Sequence, residues 1–183
     1  MLFRSLQLQY VDLLLIHWPV PKKRRETWRA LEKLLKDGKT RAIGVSNYMG
    51  HHLQEILGEC SVVPAVDQFE ITPFLNRKAV VNKCQQHNIT IEAYSPLTRG
   101  AKLNTPLLID LATRYKKSPA QILIRWGLEH GFISLPKSTK KERIEENANI
   151  FDFSFAQVDL DKLDNIQELH RVTVWDPEGA DWL

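Results

Sequence analysis

The sequence predicts an α/β fold in which parallel strands alternate with helices packed outside them, in the manner of an α/β barrel. Three observations predict it. Short apolar runs of strand length alternate with segments whose apolar residues recur at helical spacing, repeatedly along 183 residues. The first apolar run is continuous rather than alternating, which suits a strand covered on both faces. The runs also end on polar or titratable residues, where an α/β barrel collects its chemistry.

The elements follow in order. Leu6, Gln9 and Tyr10 read as the end of a helix, and Val11–Ile16 as the first strand, buried on both faces. Trp28, Leu31, Leu34 and Leu35 recur at helical spacing, and Asp37-Gly38 supplies the stop. Arg41–Val45 is the second strand, and Leu53, Ile56 and Leu57 mark a short helix. Pro64 precedes a third strand, Ala65–Phe69. A helix then runs from Arg77 to His87, with Ala79, Val80 and Cys84 on one face and Asn88 at its end. Thr90–Tyr94 is the fourth strand, and a helix spans Pro106 to Tyr115. The next helix opens at Ser118-Pro119-Ala120-Gln121, an N-cap serine, a first-turn proline and a capping-box glutamine, and ends at Gly131. Phe132–Leu135 is the fifth strand. Thr139-Lys140-Lys141-Glu142 reads as a second capping box, opening the helix that carries Arg143 and Asn147. Asp159 opens a last helix reaching His170, and the tail from Val172, with Trp175 and Trp182, reads as a covering loop.

Composition narrows the function. One domain over residues 1–183 is expected, with ordinary globular fractions of hydrophobic (43%) and charged (26%) residues. A net charge of +3 is too mild to argue for nucleic acid, and the run Lys22-Lys23-Arg24-Arg25 reads as a solvated loop. Cys60 and Cys84 make no disulfide framework and read as reduced thiols in helices. No apolar run of about 18 residues predicts a membrane span, and the first residues lack the pattern of a signal peptide. A cytoplasmic protein is the expectation. His51 and His52 are adjacent, so they are expected to point apart on a helix, and no metal site is expected. No GxGxxG, P-loop or GxSxG is present.

The strand ends carry the candidate site: His17, then Ser46-Asn47, then Gln68, then Tyr94-Ser95, then Lys137-Ser138. Amides and hydroxyls suit a polar heterocycle, an aromatic ring can stack on it, and a cation with a serine suits a phosphate. Lys137 and Ser138 fall just before a helix N-terminus, where free N–H groups and the helix dipole favour an anion. Arg143 follows one turn on, and Asn147 lies four residues beyond it on the same face.

These segments resemble the aldo-keto reductase family. Leu31, nine residues, then Arg41-Ala42-Ile43-Gly44-Val45-Ser46-Asn47-Tyr48 is similar to the family's mid-chain signature. Leu135-Pro136-Lys137-Ser138, four residues, Arg143, Glu146-Asn147 and Ile150 resemble its C-terminal signature. Leu15-Ile16-His17-Trp18-Pro19 resembles the segment bearing its catalytic histidine, and Ile91-Glu92-Ala93-Tyr94-Ser95-Pro96-Leu97 its nicotinamide-stacking segment. The resemblance implies a (β/α)8 TIM barrel, incomplete here, with five C-terminal βα units present and a truncated N-terminal part. It also implies NADPH-dependent reduction of aldehydes or ketones, small-molecule carbonyl substrates, and a monomer when complete. Tyr94 would stack on the nicotinamide, and Ser46, Asn47 and Gln68 would hold its carboxamide. Ser95 and Leu97 would contact the pyrophosphate. Lys137, Ser138 and Arg143 would take the adenosine 2′-phosphate, with Glu146 and Asn147 on the adenine side. His17 would orient the carbonyl, Trp18 would line the pocket, and the tail 171–183, with Trp175, would form a substrate loop.

Two departures accompany the resemblance. Thr72 stands where many relatives carry a histidine. The family's proton-donating tyrosine, with its lysine and aspartate, lies in βα units expected to precede this sequence. An alternative follows: a module that binds NADPH or a partner without turnover, because carbonyl reduction needs an acid. Open first and last strands would also expose hydrogen-bonding edges.

Overall fold

The computed structural model describes residues 5–173 and 176–177. They fall into two compact units, the first from residues 5–69, Lys78–Thr90 and 176–177, the second from Glu70–Arg77 and 91–173.

The first unit holds strands β1 (Val11–Ile16), β2 (Thr40–Ser46) and β3 (Val66–Glu70), and helices α1 (Arg24–Lys36), α2 (Gly50–Leu57) and α3 (Lys78–Gln86). The strands pair parallel and in chain order. Leu15 lies opposite Gly44 and Ile16 opposite Val45, while Val45 lies opposite Asp67 and Ser46 opposite Gln68. This register brings the ends of all three strands to one level. Helix α1 carries Glu26 in its first turn and Lys33 and Lys36 in its last, matching the helix dipole. It stops where Gly38 adopts φ +67° and the Gly38 and Lys39 amides close onto Leu35 and Leu34. Trp28 and Leu31 turn inward to a core that includes Ile43, Val45, Leu53, Ile56 and Phe69.

Gly44 shows how tightly this sheet is built. A Cβ there would lie 2.6 Å from the Val66 carbonyl oxygen and 2.7 Å from Leu15 Cδ2. Gly44→Ala is therefore expected to cost about 1–3 kcal/mol as an overpacked core position. A lower urea midpoint at unchanged slope would register it; an unchanged midpoint would mean the strands yield.

The second unit holds β4 (Thr90–Tyr94), β5 (Ile133–Leu135), α4 (Pro106–Tyr115), α5 (Pro119–Glu129), α6 (Lys141–Ala148) and α7 (Gln157–Asp164). Tyr94 pairs with Leu135 in a parallel register. The expected capping box of α5 is present: the Ser118 amide donates to Gln121 Oε1 at 2.9 Å, and the Gln121 amide donates to Ser118 Oγ at 3.3 Å. Gln121 also donates through Nε2 to the Glu146 and Asn149 carbonyls at 2.9 and 2.8 Å, which anchors the end of α6 on α5. Leu108, Leu111, Ile122, Trp126 and Leu163 form the core.

The structure corrects several local expectations. β1 is half-exposed rather than buried on both faces, because β2 is its only paired neighbour among the described residues. The run Lys22–Arg25 is a solvated turn only at Lys22 and Lys23, which are exposed. It leads into α1, where buried Arg24 meets Glu55 at 2.7 Å and the Pro19 carbonyl at 3.0 Å. On α3 the buried face is Val80, Val81 and Cys84, with Ala79 exposed. Cys60 lies beyond the end of α2, not in a helix. The second capping box does not form: Lys140 is the N-cap of α6, with no side-chain cap, and Ser138 Oγ accepts from the Lys140 amide. The last helix spans Gln157–Asp164 rather than 159–170. Asp159 lies inside its first turn, buried, where Arg114, Tyr115 and Lys162 converge on its carboxylate. Burial alone would raise that carboxyl, yet these hydrogen bonds hold it below its ordinary value. His51 and His52 do not point apart: their ring centroids lie 3.8 Å from each other, and His52 Nδ1 accepts from the Met49 amide.

Candidate functional site

In the first unit, the three strand ends are stitched to one another by their own polar groups. Asn47, at φ +63°, donates through Nδ2 to the His17 carbonyl at 3.0 Å and to Ser46 Oγ at 3.1 Å. Ser46 Oγ donates to the Gln68 carbonyl at 2.8 Å, and the Asn47 amide donates to the same oxygen at 2.9 Å. Ser46 and Asn47 are buried, while Gln68 is half-buried. A hydroxyl and an amide side chain placed this way fix the levels of β1, β2 and β3. The structure thus brings the Ser46 and Asn47 side chains against the backbone carbonyls of His17 and Gln68.

His17 is exposed, and its ring meets Trp18 edge-on at 6.1 Å between centroids. Both line a cleft of about 410 Å³ with Ile16, Val20, Arg24 and Tyr48. Burial pushes the Tyr48 phenol well above its ordinary value, so it stays protonated throughout the physiological range.

In the second unit, β4 and β5 deliver the remaining residues. Half-buried Tyr94 closes β4, and Ser95 follows at φ +50°, a left-handed turn that redirects the chain. Ser95, Leu97, Arg99, Leu135, Lys137 and Arg143 line a cleft of about 550 Å³. A second cleft of about 320 Å³ shares Leu97, Leu103, Lys137 and Arg143 with it and adds Ser118, Ser138, Glu146 and Asn147. The two form one groove. Lys137 and Arg143 are exposed and form no ion pair among the described residues. Asn147, on α6, is buried.

Sequence reasoning missed Arg99, Leu103 and Ser118 on this groove. Arg99 sits in a single turn, Thr98–Gly100, with no periodicity to flag it, and Ser118 was legible only as a cap. Trp175 and Trp182 lie outside the described residues. Thr72 is buried, and its hydroxyl accepts from the Phe74 amide at 3.2 Å. Among the described residues, no group of three or more His, Cys, Asp or Glu side chains could hold a metal ion. No helix among them is long and apolar enough to cross a membrane.

The groove pairs two exposed cations with a helix N-terminus and a serine, a donor set suited to a phosphomonoester. Residues 2–168 match the family model described as Aldo/keto reductase family. The chain is 50% identical over 167 residues to the glyoxal reductase of Bacillus subtilis (strain 168), covering 91% of this chain and 60% of that protein. Its backbone superposes on the crystal structure of Gox0644 in the apo form with a TM-score of 0.88 at 36% identity, over 96% of this chain and 65% of that one. It matches the Bombyx mori aldo-keto reductase AKR2E4 in complex with NADP with a TM-score of 0.85 at 32% identity, over 93% of this chain and 62% of that one. The chain thus spans between 60% and 65% of the length of these relatives. Its five βα units correspond to part of a (β/α)8 barrel.

Proposed function

The chain belongs to the aldo/keto reductase family, and from that premise we propose that it serves NADPH-dependent reduction of aldehyde or ketone carbonyls to alcohols. The observation that carries the reading is the groove of the second unit, where Lys137 and Arg143 face solvent and have no anionic partner among the described residues. In this proposal Lys137, Ser138 and Arg143 hold the 2′-phosphate, and Ser95 and Leu97 border the pyrophosphate. Glu146 and Asn147 take the adenine side. Tyr94 offers its ring to the nicotinamide, and Ser46, Asn47 and Gln68 serve its carboxamide. His17 orients the carbonyl oxygen, and Trp18 lines the pocket beside it. When bound, NADPH would supply the hydride. Both cysteines are free thiols, consistent with a reducing cytoplasm.

One observation favours a second reading, cofactor binding without turnover. Each of the four tyrosines has another commitment. Tyr10 lies against Arg41 at 4.4 Å, and the Tyr48 hydroxyl is buried. Tyr94 meets Thr173, and Tyr115 donates to Asp159. A reductase needs an acid at the carbonyl, and general acid catalysis contributes about 10²–10⁴-fold.

Titration of the 183-residue chain with NADPH and with NADH, followed by cofactor fluorescence, tests the common core of both readings. Saturable binding at least about tenfold tighter for NADPH is expected from charge-assisted contacts to the extra phosphate. Equal binding of the two, or none, would defeat the proposal. Glyoxal, the namesake substrate of the Bacillus relative, then separates the readings: NADPH consumption supports the reductase, and its absence the silent module.

A further inference from the structure

Tyr94 is held at both ends. Its backbone pairs with Leu135 in the sheet, and its hydroxyl lies 3.4 Å from Thr173 Oγ1. Thr173 in turn belongs to a short strap that crosses the second unit. Glu70, at the end of β3 and 1% exposed, accepts the Val172 amide at 2.6 Å, the Thr173 amide at 2.9 Å and the Thr173 hydroxyl. The His170 amide donates to the Phe74 carbonyl at 2.9 Å and fixes the strap at a second point. Arg77 Nε donates to the Glu70 carbonyl at 2.9 Å and steadies the peptide that carries the carboxylate.

The protons assign a direction to this chain of bonds. Both Glu70 carboxyl oxygens accept, one from the Val172 amide and the other from the Thr173 amide and hydroxyl, and a threonine hydroxyl has one proton to give. Thr173 gives it to Glu70, so Tyr94 donates to Thr173. The relay runs from the tyrosine to the threonine to the glutamate and ties the phenol to the strap, beside the contact that the phenol makes with the Glu70 backbone.

Resting on the NADPH reading, we propose that Glu70 is a positioning residue for Tyr94. Through Thr173 it latches residues 170–173 onto the tyrosine and pre-sets the ring for the nicotinamide. A ring already held in its working orientation loses little freedom when the cofactor arrives. The latch acts on the nicotinamide end alone, since the phosphate groove is built from Lys137, Ser138 and Arg143.

Two ligands separate these ends: NADPH, and 2′,5′-ADP, which carries the adenosine 2′-phosphate but no nicotinamide. Thr173→Val keeps the shape and removes the relay, Glu70→Gln removes the charge, and Thr173→Ser restores the hydroxyl. Thr173→Val and Glu70→Gln are expected to weaken NADPH binding about 10-fold, the range for a hydrogen bond to a charged group. Binding of 2′,5′-ADP should stay within about twofold, and Thr173→Ser should bind NADPH as the wild type does. Unchanged NADPH affinity in Thr173→Val, or a parallel loss of both ligands, would overturn the proposal. Trypsin cleavage after Arg171 gives a readout that needs no cofactor. Faster cleavage in Thr173→Val than in wild type or Thr173→Ser supports the latch, and equal rates overturn it. Wild type that binds 2′,5′-ADP but not NADPH would overturn the platform role while the phosphate groove stands. Wild type that binds neither would sink the NADPH reading itself, and the latch is then decided by cleavage alone.

Discussion

Replacing Lys137 and Arg143 together by alanine is expected to weaken NADPH binding about 10²-fold and to leave NADH within about threefold. A hydrogen bond to a charged group contributes about 1.5–3 kcal/mol, and each 1.4 kcal/mol is tenfold in affinity, so two such contacts could reach 10²–10⁴-fold. Both side chains are exposed, and solvent screening reduces exposed charge pairs. The lower end is therefore the expectation. Each single variant should lose about tenfold, with the difference between variant and wild type shrinking as salt rises. The comparison with NADH makes the result specific, because the two cofactors differ only in the phosphate that these cations are proposed to hold. An equal loss for both cofactors would show that the substitutions damage the groove rather than remove a phosphate contact.

This groove was more legible in the sequence than the rest of the site, for a physical reason. Lys137, Ser138 and Arg143 lie within seven positions of one another around one helix start, so local spacing alone brings them together. The strand ends were legible too, because apolar runs give way there to His17, Ser46 and Gln68. Strand and helix placement followed from periodicity, and β1 and β4 have the expected limits, Val11–Ile16 and Thr90–Tyr94. Capping was less certain. Ser118 and Gln121 cap each other, whereas Thr139 and Glu142 share the same pattern and do not. The tertiary environment decides between such pairs, since Ser138 already serves the Lys140 amide. Contacts between distant segments left no local signal. Glu70 and Thr173 lie 103 positions apart, and nothing about a glutamate in a strand announces a strap that returns so late. Arg24 was misplaced for the same reason. A run of four basic residues reads as solvated until Glu55, 31 positions on, is found beside one of them.

The largest loss of stability from a single substitution is expected at Trp28. Its indole is 2% exposed, and Nε1 donates to the Val62 carbonyl at 3.1 Å. One turn along α1, Glu32 accepts the Ser61 and Val62 amides at 2.7 and 2.9 Å. Two residues on one face of α1 thus grip the turn that runs through Pro64 into β3. Trp28→Ala removes the ring from a close-packed site and leaves the Val62 carbonyl without that donor. Burial losses of this kind cost about 3–5 kcal/mol, a large share of the roughly 5–15 kcal/mol that holds a domain folded. Trp28→Phe keeps most of the volume and loses the hydrogen bond, so about 1–2 kcal/mol is expected from it. Urea unfolding followed by circular dichroism measures both, and the midpoint should fall while the slope holds. A loss under about 1 kcal/mol in Trp28→Ala would mean that the neighbours collapse into the space, as sites that relax well can do. The grip on the turn matters beyond stability, because β3 carries Gln68, whose carbonyl ties down both Ser46 and Asn47. Loosening that turn frees the strand end on which the other two depend, so a tryptophan on α1 governs how sharply the polar ends of β1, β2 and β3 are defined.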